Sequence, residues 1–374
     1  DRYQTSQEYT REKSRFGQII ETMDLFILLG FWFSGGFNWL DSILRQLSLP
    51  TILTGILFIA VLGAAKFIID LPFSIYSTFV IEEKYGFNKT TWKTFIVDIF
   101  KGMLLSLILG VPLLAGILAI FQYLGVFAWI IGWALVTVFT LVVQYIAPRW
   151  IMPIFNKFEP LEKHQLYEKI KSYFDSVDYS ISGVFVMDGS KRSKKSNAFF
   201  TGFGKNKRIV LFDTLVEQHN DEEILSILAH EVGHYKKKHT FSTILISTLQ
   251  TGLMLFIFSL FLAEPALLQA LGFSADEAAR IIANQSGFHL ALLTFGILYS
   301  PISFILGLGL NVFSRKHEYE ADNFAKQHEK DEALIAALKK LSQNNLSNLT
   351  PHPMYVFFHY SHPTLLQRIR ALKK

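Results

Sequence analysis

Apolar and polar positions along this chain separate into long blocks rather than into a short helical or strand period. Six blocks, 23–40, 51–69, 102–123, 126–145, 241–263 and 287–312, are almost wholly apolar. Each approaches the about 20 residues that an α-helix needs to cross a bilayer. Between 153 and 240, and again from 314 to 374, charged and apolar residues mix and no such block occurs. The pattern predicts a mainly α, polytopic α-helical membrane protein in four parts. These are an N-terminal membrane domain with four spans at 1–152, a water-exposed region at 153–240, two further spans at 241–313 and a polar tail at 314–374.

In the water-exposed region the period shortens. A helix is expected over 161–176, and strands over "GVFVMD" (183–188), "NAFFTGF" (197–203) and "RIVLFDTLV" (208–216). "GKNK" (204–207) reads as the hairpin turn between the last two. "NDEEILSILAHEVGHY" (220–235) then reads as a helix. Asn220 is its expected N-cap, Glu223 closes a capping box, and an acidic first turn suits the helix dipole. At Lys236, Lys237 and Lys238 this helix either continues into the fifth span or hands over to it.

Composition agrees with the block pattern. Hydrophobic residues make up 51% of the 374 and charged residues 18%, a membrane-protein balance. There is no cysteine, which excludes a disulfide framework, a cysteine nucleophile and a thiolate metal site. The net charge of +5 is modest, and its distribution is more informative. With six crossings, the N-terminus, 70–101, 146–240 and the tail share one side. That side carries Arg2, Arg11, Lys13, Arg15, Lys84, Lys89, Lys93 and the 236–238 lysines near the spans. The other side has Arg45 and Arg280 against Asp41, Glu264, Asp276 and Glu277. Lys and Arg excess marks the cytoplasmic face, so the water-exposed parts are expected there. The first residues are polar and mixed in charge, unlike a cleavable signal peptide, and the chain opens on Asp1, so a preceding segment is expected.

Several ionisable or polar residues fall in or at the edges of the blocks: Glu21, Asp24, Lys66, Asp70, Lys101, Gln144 and His289. At that depth such groups face a bundle interior or water-filled cavity, or snorkel from span ends. Glu21 and Lys101 read as snorkelling, while Lys66 and His289 fit either account. The basic run "KRSKK" (191–195) reads as a solvated loop. No basic face with interleaved aromatics appears, so nucleic acid is not an expected partner.

His230, Glu231 and His234 form H-E-x-x-H on the predicted helix. Positions i and i+4 share a face, so both imidazoles reach one ion, with Glu231 beside them to take a proton from water. Zn²⁺ suits two imidazoles and a carboxylate with one open position. The carboxylate is sought in "HEYEAD" (317–322), which follows the sixth span on the same membrane side. Glu318 and Asp322 stand at i and i+4, so one can bind metal while the other supports an imidazole, and spacing alone does not choose between them.

Together these motifs resemble the CAAX prenyl protease type 1 family, integral-membrane zinc metalloproteases of the endoplasmic reticulum and of bacteria. The likeness runs through "FVIEEKYGFNKTTWKTFIVD" (79–98), "GSKRSKKSNAFFTGFGKNKRIVLFDTLVE" (189–217), "HEVGH", "EYEAD" and "SHPTLLQRI" (361–369), in that order. It implies a gluzincin-like catalytic domain with a small β-sheet on the cytoplasmic side of a bacterial inner membrane, or of the endoplasmic reticulum in a eukaryote. It also implies that His230, His234 and Glu318 hold zinc, with Glu231 as the catalytic base and Asp322 behind the ligands. His362 and Arg368 would help bind the substrate backbone or oxyanion, and Asn197 and Ala198 would lie on an edge strand that pairs with substrate. The implied substrate is a peptide cut near its C-terminus, prenylated or similar, and the bilayer is the other partner. The family typically has one span more than the six found here, which would precede residue 1. Two other readings compete: a membrane quality-control zinc protease, and a transporter or channel carrying a structural metal.

Overall fold

The computed structural model describes residues 2–161, 165–179, 181–202, 207–328 and 330–374. Among them are six helices long and apolar enough to cross a membrane: Arg2–Phe33, Thr51–Glu82, Trp92–Tyr123, Ala128–Phe155, His239–Phe261 and Phe288–Gln327. Large apolar side chains on them, such as Phe26, Ile68, Phe100 and Ile305, are exposed, which a lipid solvent tolerates. Spans two, three and four contain π-helical segments at Ser77–Glu82, Ser106–Gly110 and Ala147–Ile151.

The first block is not one span over 23–40. Its helix begins at Arg2, stops at Phe33, and a separate amphipathic helix Gly36–Gln46 follows. Gly35 between them takes a left-handed φ of 75°. Phe31 packs so tightly over Gly36 that a Cβ there would stand 2.5 Å from its ring. The second helix buries Phe37, Leu40 and Leu44 at the far end of the bundle, together with Asp41. Asp41 Oδ1 lies 2.8 Å from His289 Nε2, and Arg45 joins Asp41 to Ser286. His289 is buried in helix packing, so it neither snorkels nor faces water. Lys66 is held by Asp24 at 3.0 Å and by Asp70. Lys101 donates to the Ile154 carbonyl at the end of span four, at 2.6 Å.

The water-exposed region forms a four-stranded sheet: β1 (Phe158–Pro160), β2 (Gly183–Met187), β3 (Ala198–Thr201) and β4 (Arg208–Phe212), in the order β1-β2-β4-β3. β3 runs antiparallel to β4, and β2 parallel to it. β1 was not foreseen, because three residues carry no readable alternation. The strand expected to 216 ends at Phe212, and Asp213–Gln218 is a helix. Asp213 turns the chain there by accepting from the Ser190 and Thr214 N–H groups. The expected turn at 204–207 lies, except for Lys207, outside the described residues. So do 162–164 of the helix expected from 161, which is seen as Gln165–Ser176.

The "KRSKK" run is not a solvated loop. Arg192 forks onto Asp98 at 2.7 and 2.9 Å. Lys195 reaches Glu82 at 2.8 Å and Tyr9 at 2.7 Å. These contacts tie the chain entering β3 to spans one, two and three.

Candidate metal centre

The H-E-x-x-H helix is Asp221–Lys236, and the capping box of Asn220 and Glu223 is complete. Its apolar face, with Ile224, Leu225, Ile227, Leu228 and Val232, packs into the core beneath the sheet. Gly233 lets it approach span six closely: a Cβ at Gly233 would stand 2.9 Å from the Ala321 Cα. Span six continues past the apolar block as one helix to Gln327 and so carries Glu318 and Asp322 to the same place. At Lys237 and Lys238 the motif helix ends, Lys238 adopts a left-handed φ of 58°, and span five starts at His239. The junction is therefore a handover, not a continuous helix.

One ligand-type atom from each of His230, His234 and Glu318 lies within 4.8 Å of the others. The two Nε2 atoms are 3.1 Å apart. Glu318 Oε2 is 3.5 Å from His230 Nε2, and Oε1 is 3.3 Å from His234 Nε2. Tetrahedral ligation at about 2.0–2.1 Å places ligand atoms roughly 3.4 Å apart, which these separations fit. Glu318 Oε2 is moreover buried without a hydrogen-bond partner, although Arg368 Nη1 stands 3.3 Å away, so it keeps lone-pair capacity for a metal ion.

Asp322 sits behind the first imidazole, its Oδ1 2.9 Å from His230 Nδ1. The buried Arg368 guanidinium forks onto Asp322 at 2.9 and 2.6 Å and approaches Glu318 Oε2 at 3.3 Å. Its Nη2 also lies 3.2 Å from His230 Nδ1, so the guanidinium is packed among the side chains of the cluster itself. The His362 side chain is 64% exposed, with Nε2 3.4 Å from Glu318 Oε1 and Nδ1 2.9 Å from Ser361 Oγ. Glu231 faces the open space beside the cluster. Burial pushes its carboxyl above the ordinary range, while the two imidazoles pull it the other way.

Two cavities meet at this cluster. One of about 220 Å³ is lined by Asn197, Ala198, Leu334, Leu338, His362 and Arg368. The other, of about 1040 Å³, runs past Phe200, Thr201 and Lys207 to Phe241 and Ile244 of span five and Gln144 and Ala147 of span four. β3 borders both and is the sheet's edge strand, with no strand partner on its outer side among the described residues. Ala198 pairs with Leu211, and the Asn197 carbonyl accepts from Phe212 N, so these two residues anchor the inner edge.

The sequence reading missed His239. Its Nδ1 lies 3.0 Å from His234 Nδ1, and its Nε2 lies 2.9 Å from Glu320 Oε2. Only a third histidine shortly after the motif signalled it, and the left-handed break that brings it back cannot be read from three lysines.

Two family models cover the chain. Residues 1–157 match the one described as CAAX prenyl protease N-terminal, five membrane helices, and 160–374 match peptidase family M48. The chain is 37% identical to a CAAX prenyl protease 1 homolog of Arabidopsis thaliana over its whole length and 87% of the relative's. It is 38% identical to CAAX prenyl protease 1 of Saccharomyces cerevisiae over 86% of this chain and 72% of that one. The crystal structure of S. mikatae Ste24p superposes with a TM-score of 0.91 at 34% identity, covering all of this chain and 89% of that one. A multi-pass membrane architecture, an M48 peptidase region and the His–His–Glu cluster coincide, and the chain belongs to the membrane-embedded CAAX prenyl protease branch of metallopeptidase family M48.

Proposed function

We propose that this protein is a zinc endopeptidase that cuts prenylated CAAX-type peptides near their C-terminus. The observation that carries this is the convergence of His230, His234 and Glu318, with Glu231 beside them, where two cavities meet at the edge strand β3. A zinc ion held by those three side chains would supply Lewis-acid polarisation of the scissile carbonyl and acidify a water. Glu231 accepts the proton of the attacking water on its carboxylate and returns it to the leaving nitrogen. His362, exposed to both cavities, donates to the developing oxyanion. Arg368 holds Asp322 and Glu318 in place, and through them His230.

An extended peptide adds to the outer edge of β3, with Asn197 and Ala198 at one end of its track. Its prenyl tail lies in the larger cavity, whose Phe241 and Ile244 belong to span five. Its terminal residues enter the smaller cavity against Leu334 and Leu338. The catalytic face lies on the side with the Lys and Arg excess, the cytoplasmic one, in a bacterial inner membrane or an endoplasmic reticulum.

The test is cleavage, by purified protein, of a farnesylated peptide and its unprenylated form, followed by mass spectrometry. Preferential release of the terminal fragment from the farnesylated form is expected. Equal cleavage at scattered positions would favour a quality-control protease instead. Because the chain lacks cysteine, a single Lys169→Cys variant reports sidedness by labelling from either face.

A further inference from the structure

A metal-bound imidazole is held in tautomer and orientation by the partner of its other ring nitrogen. His230 has Asp322 in that place. For His234 the corresponding atom is Nδ1, and what stands opposite it is another imidazole, His239 Nδ1 at 3.0 Å. His239 is itself buried and fixed on two sides. Its Nε2 lies 2.9 Å from Glu320 Oε2. Its ring stacks on His317 at 3.8 Å between centroids and 11° between planes, and Phe313 packs edge-on against His317.

The proton assignment along this row is consistent at every step. If Nε2 of His234 presents its lone pair to a cation, the ring proton sits on Nδ1. That N–H donates to His239 Nδ1, whose own proton then sits on Nε2 and donates to the Glu320 carboxylate. No donor meets a donor, and the row ends on an anion.

The backbone break at Lys238 is what permits the contact. On an uninterrupted helix, a residue five positions after His234 would lie about 140° around the axis from it. With Lys238 at φ 58° the chain turns, and the first residue of span five comes back beneath His234. A left-handed lysine is unfavourable, and this contact supplies a reason for keeping it.

We propose that His239, backed by Glu320 and His317, is the positioning residue for His234, as Asp322 is for His230. The inference rests on the reading of His234 as a metal ligand. It makes span six the common frame of the centre, since Glu318, Asp322, His317 and Glu320 all belong to it.

The experiment compares full-length wild-type protein with His239→Phe, His239→Asn, Glu320→Gln and His234→Ala. Zinc affinity is measured by competition with a chromophoric chelator, and ligand geometry by the visible spectrum of the cobalt-substituted forms. Phenylalanine keeps a ring for His317 to stack on but offers no acceptor. Asparagine places an amide oxygen near the former Nδ1. Expected is an about 10- to 100-fold loss of zinc affinity in His239→Phe, with an altered cobalt spectrum. His239→Asn should recover most of it, and Glu320→Gln should lose less. Wild-type affinity and spectrum in His239→Phe would overturn the inference, and so would equal losses in the Phe and Asn variants. If wild type and His234→Ala bind zinc alike, the reading of His234 falls, and this inference with it. Unfolding midpoints of the metal-free variants are compared, and Glu320→Gln carries the test should His239→Phe not fold.

Discussion

Gly233 of the motif helix and Ala321 of span six approach so closely that a Cβ on Gly233 would stand 2.9 Å from the Ala321 Cα and 3.0 Å from its carbonyl oxygen. The obstacle is backbone, which does not swing aside as a side chain does. This approach sets the distance between the helix that carries His230 and His234 and the helix that carries Glu318.

Gly233→Ala should therefore destabilise the protein. In an open helix the exchange would stabilise by about 0.5–1 kcal/mol. Overpacking a tight contact costs about 1–3 kcal/mol, so the clash should win. A lower unfolding midpoint together with weaker zinc binding is expected, and Gly233→Val should be worse in both. A raised midpoint with unchanged zinc affinity would show that the approach is slack.

Arg368 neutralises two buried carboxylates at once. Arg368→Ala takes the shared guanidinium away from Asp322 and Glu318, and removing one partner of a buried ionic contact costs about 3–5 kcal/mol. Lysine retains the charge but cannot fork onto Asp322, so Arg368→Lys should recover only part of the loss. Thermal unfolding and kcat/KM on a peptide substrate check this. Full activity in Arg368→Ala would remove the residue from the account.

At the opposite end of the bundle, Asp41, Arg45 and His289 should matter for folding alone. Asp41 is fully buried, and His289→Phe leaves it without one of its two side-chain partners. A buried, unsatisfied polar group costs about 1–3 kcal/mol. The unfolding midpoint should fall by several degrees while zinc affinity of the folded protein stays at the wild-type value. A change in zinc affinity would reveal coupling between the two ends of the bundle.

Metal removal should act on both activity and stability. A ligand that binds only the folded chain stabilises it in proportion to the logarithm of its free concentration over Kd. Chelation should abolish peptide cleavage and lower the unfolding midpoint, and added zinc should restore both. Cleavage that persists in metal-free protein would contradict the reading.

The parts of this molecule that were legible in its sequence are those where one physical preference dominates locally. Membrane spans are long apolar blocks, and the Asn220–Glu223 cap and the H-E-x-x-H spacing are read from adjacent residues. The illegible parts depend on contacts between distant segments or on backbone geometry. The break at Gly35 hides inside an apolar block, because glycine next to aromatics looks like ordinary span sequence. Arg192 and Lys195 look like solvated charges until Asp98 and Glu82 are brought to them by other spans. His289 looks like a polar group at membrane depth until Asp41 is folded over it. His239 joins the centre only through the left-handed turn at Lys238. That Glu318 faces Nε2 of His230 and Asp322 its Nδ1 likewise depends on a contact between distant segments, which spacing does not reveal.

The most direct measurement is peptide cleavage by Glu231→Gln compared with wild type, with bound zinc quantified in both. Glutamine keeps the size of the side chain and removes its capacity to take a proton. The variant should retain its zinc and lose peptidase activity by about two orders of magnitude or more, within the range expected for a positioned general base. Wild-type turnover by a zinc-loaded Glu231→Gln protein would contradict that role.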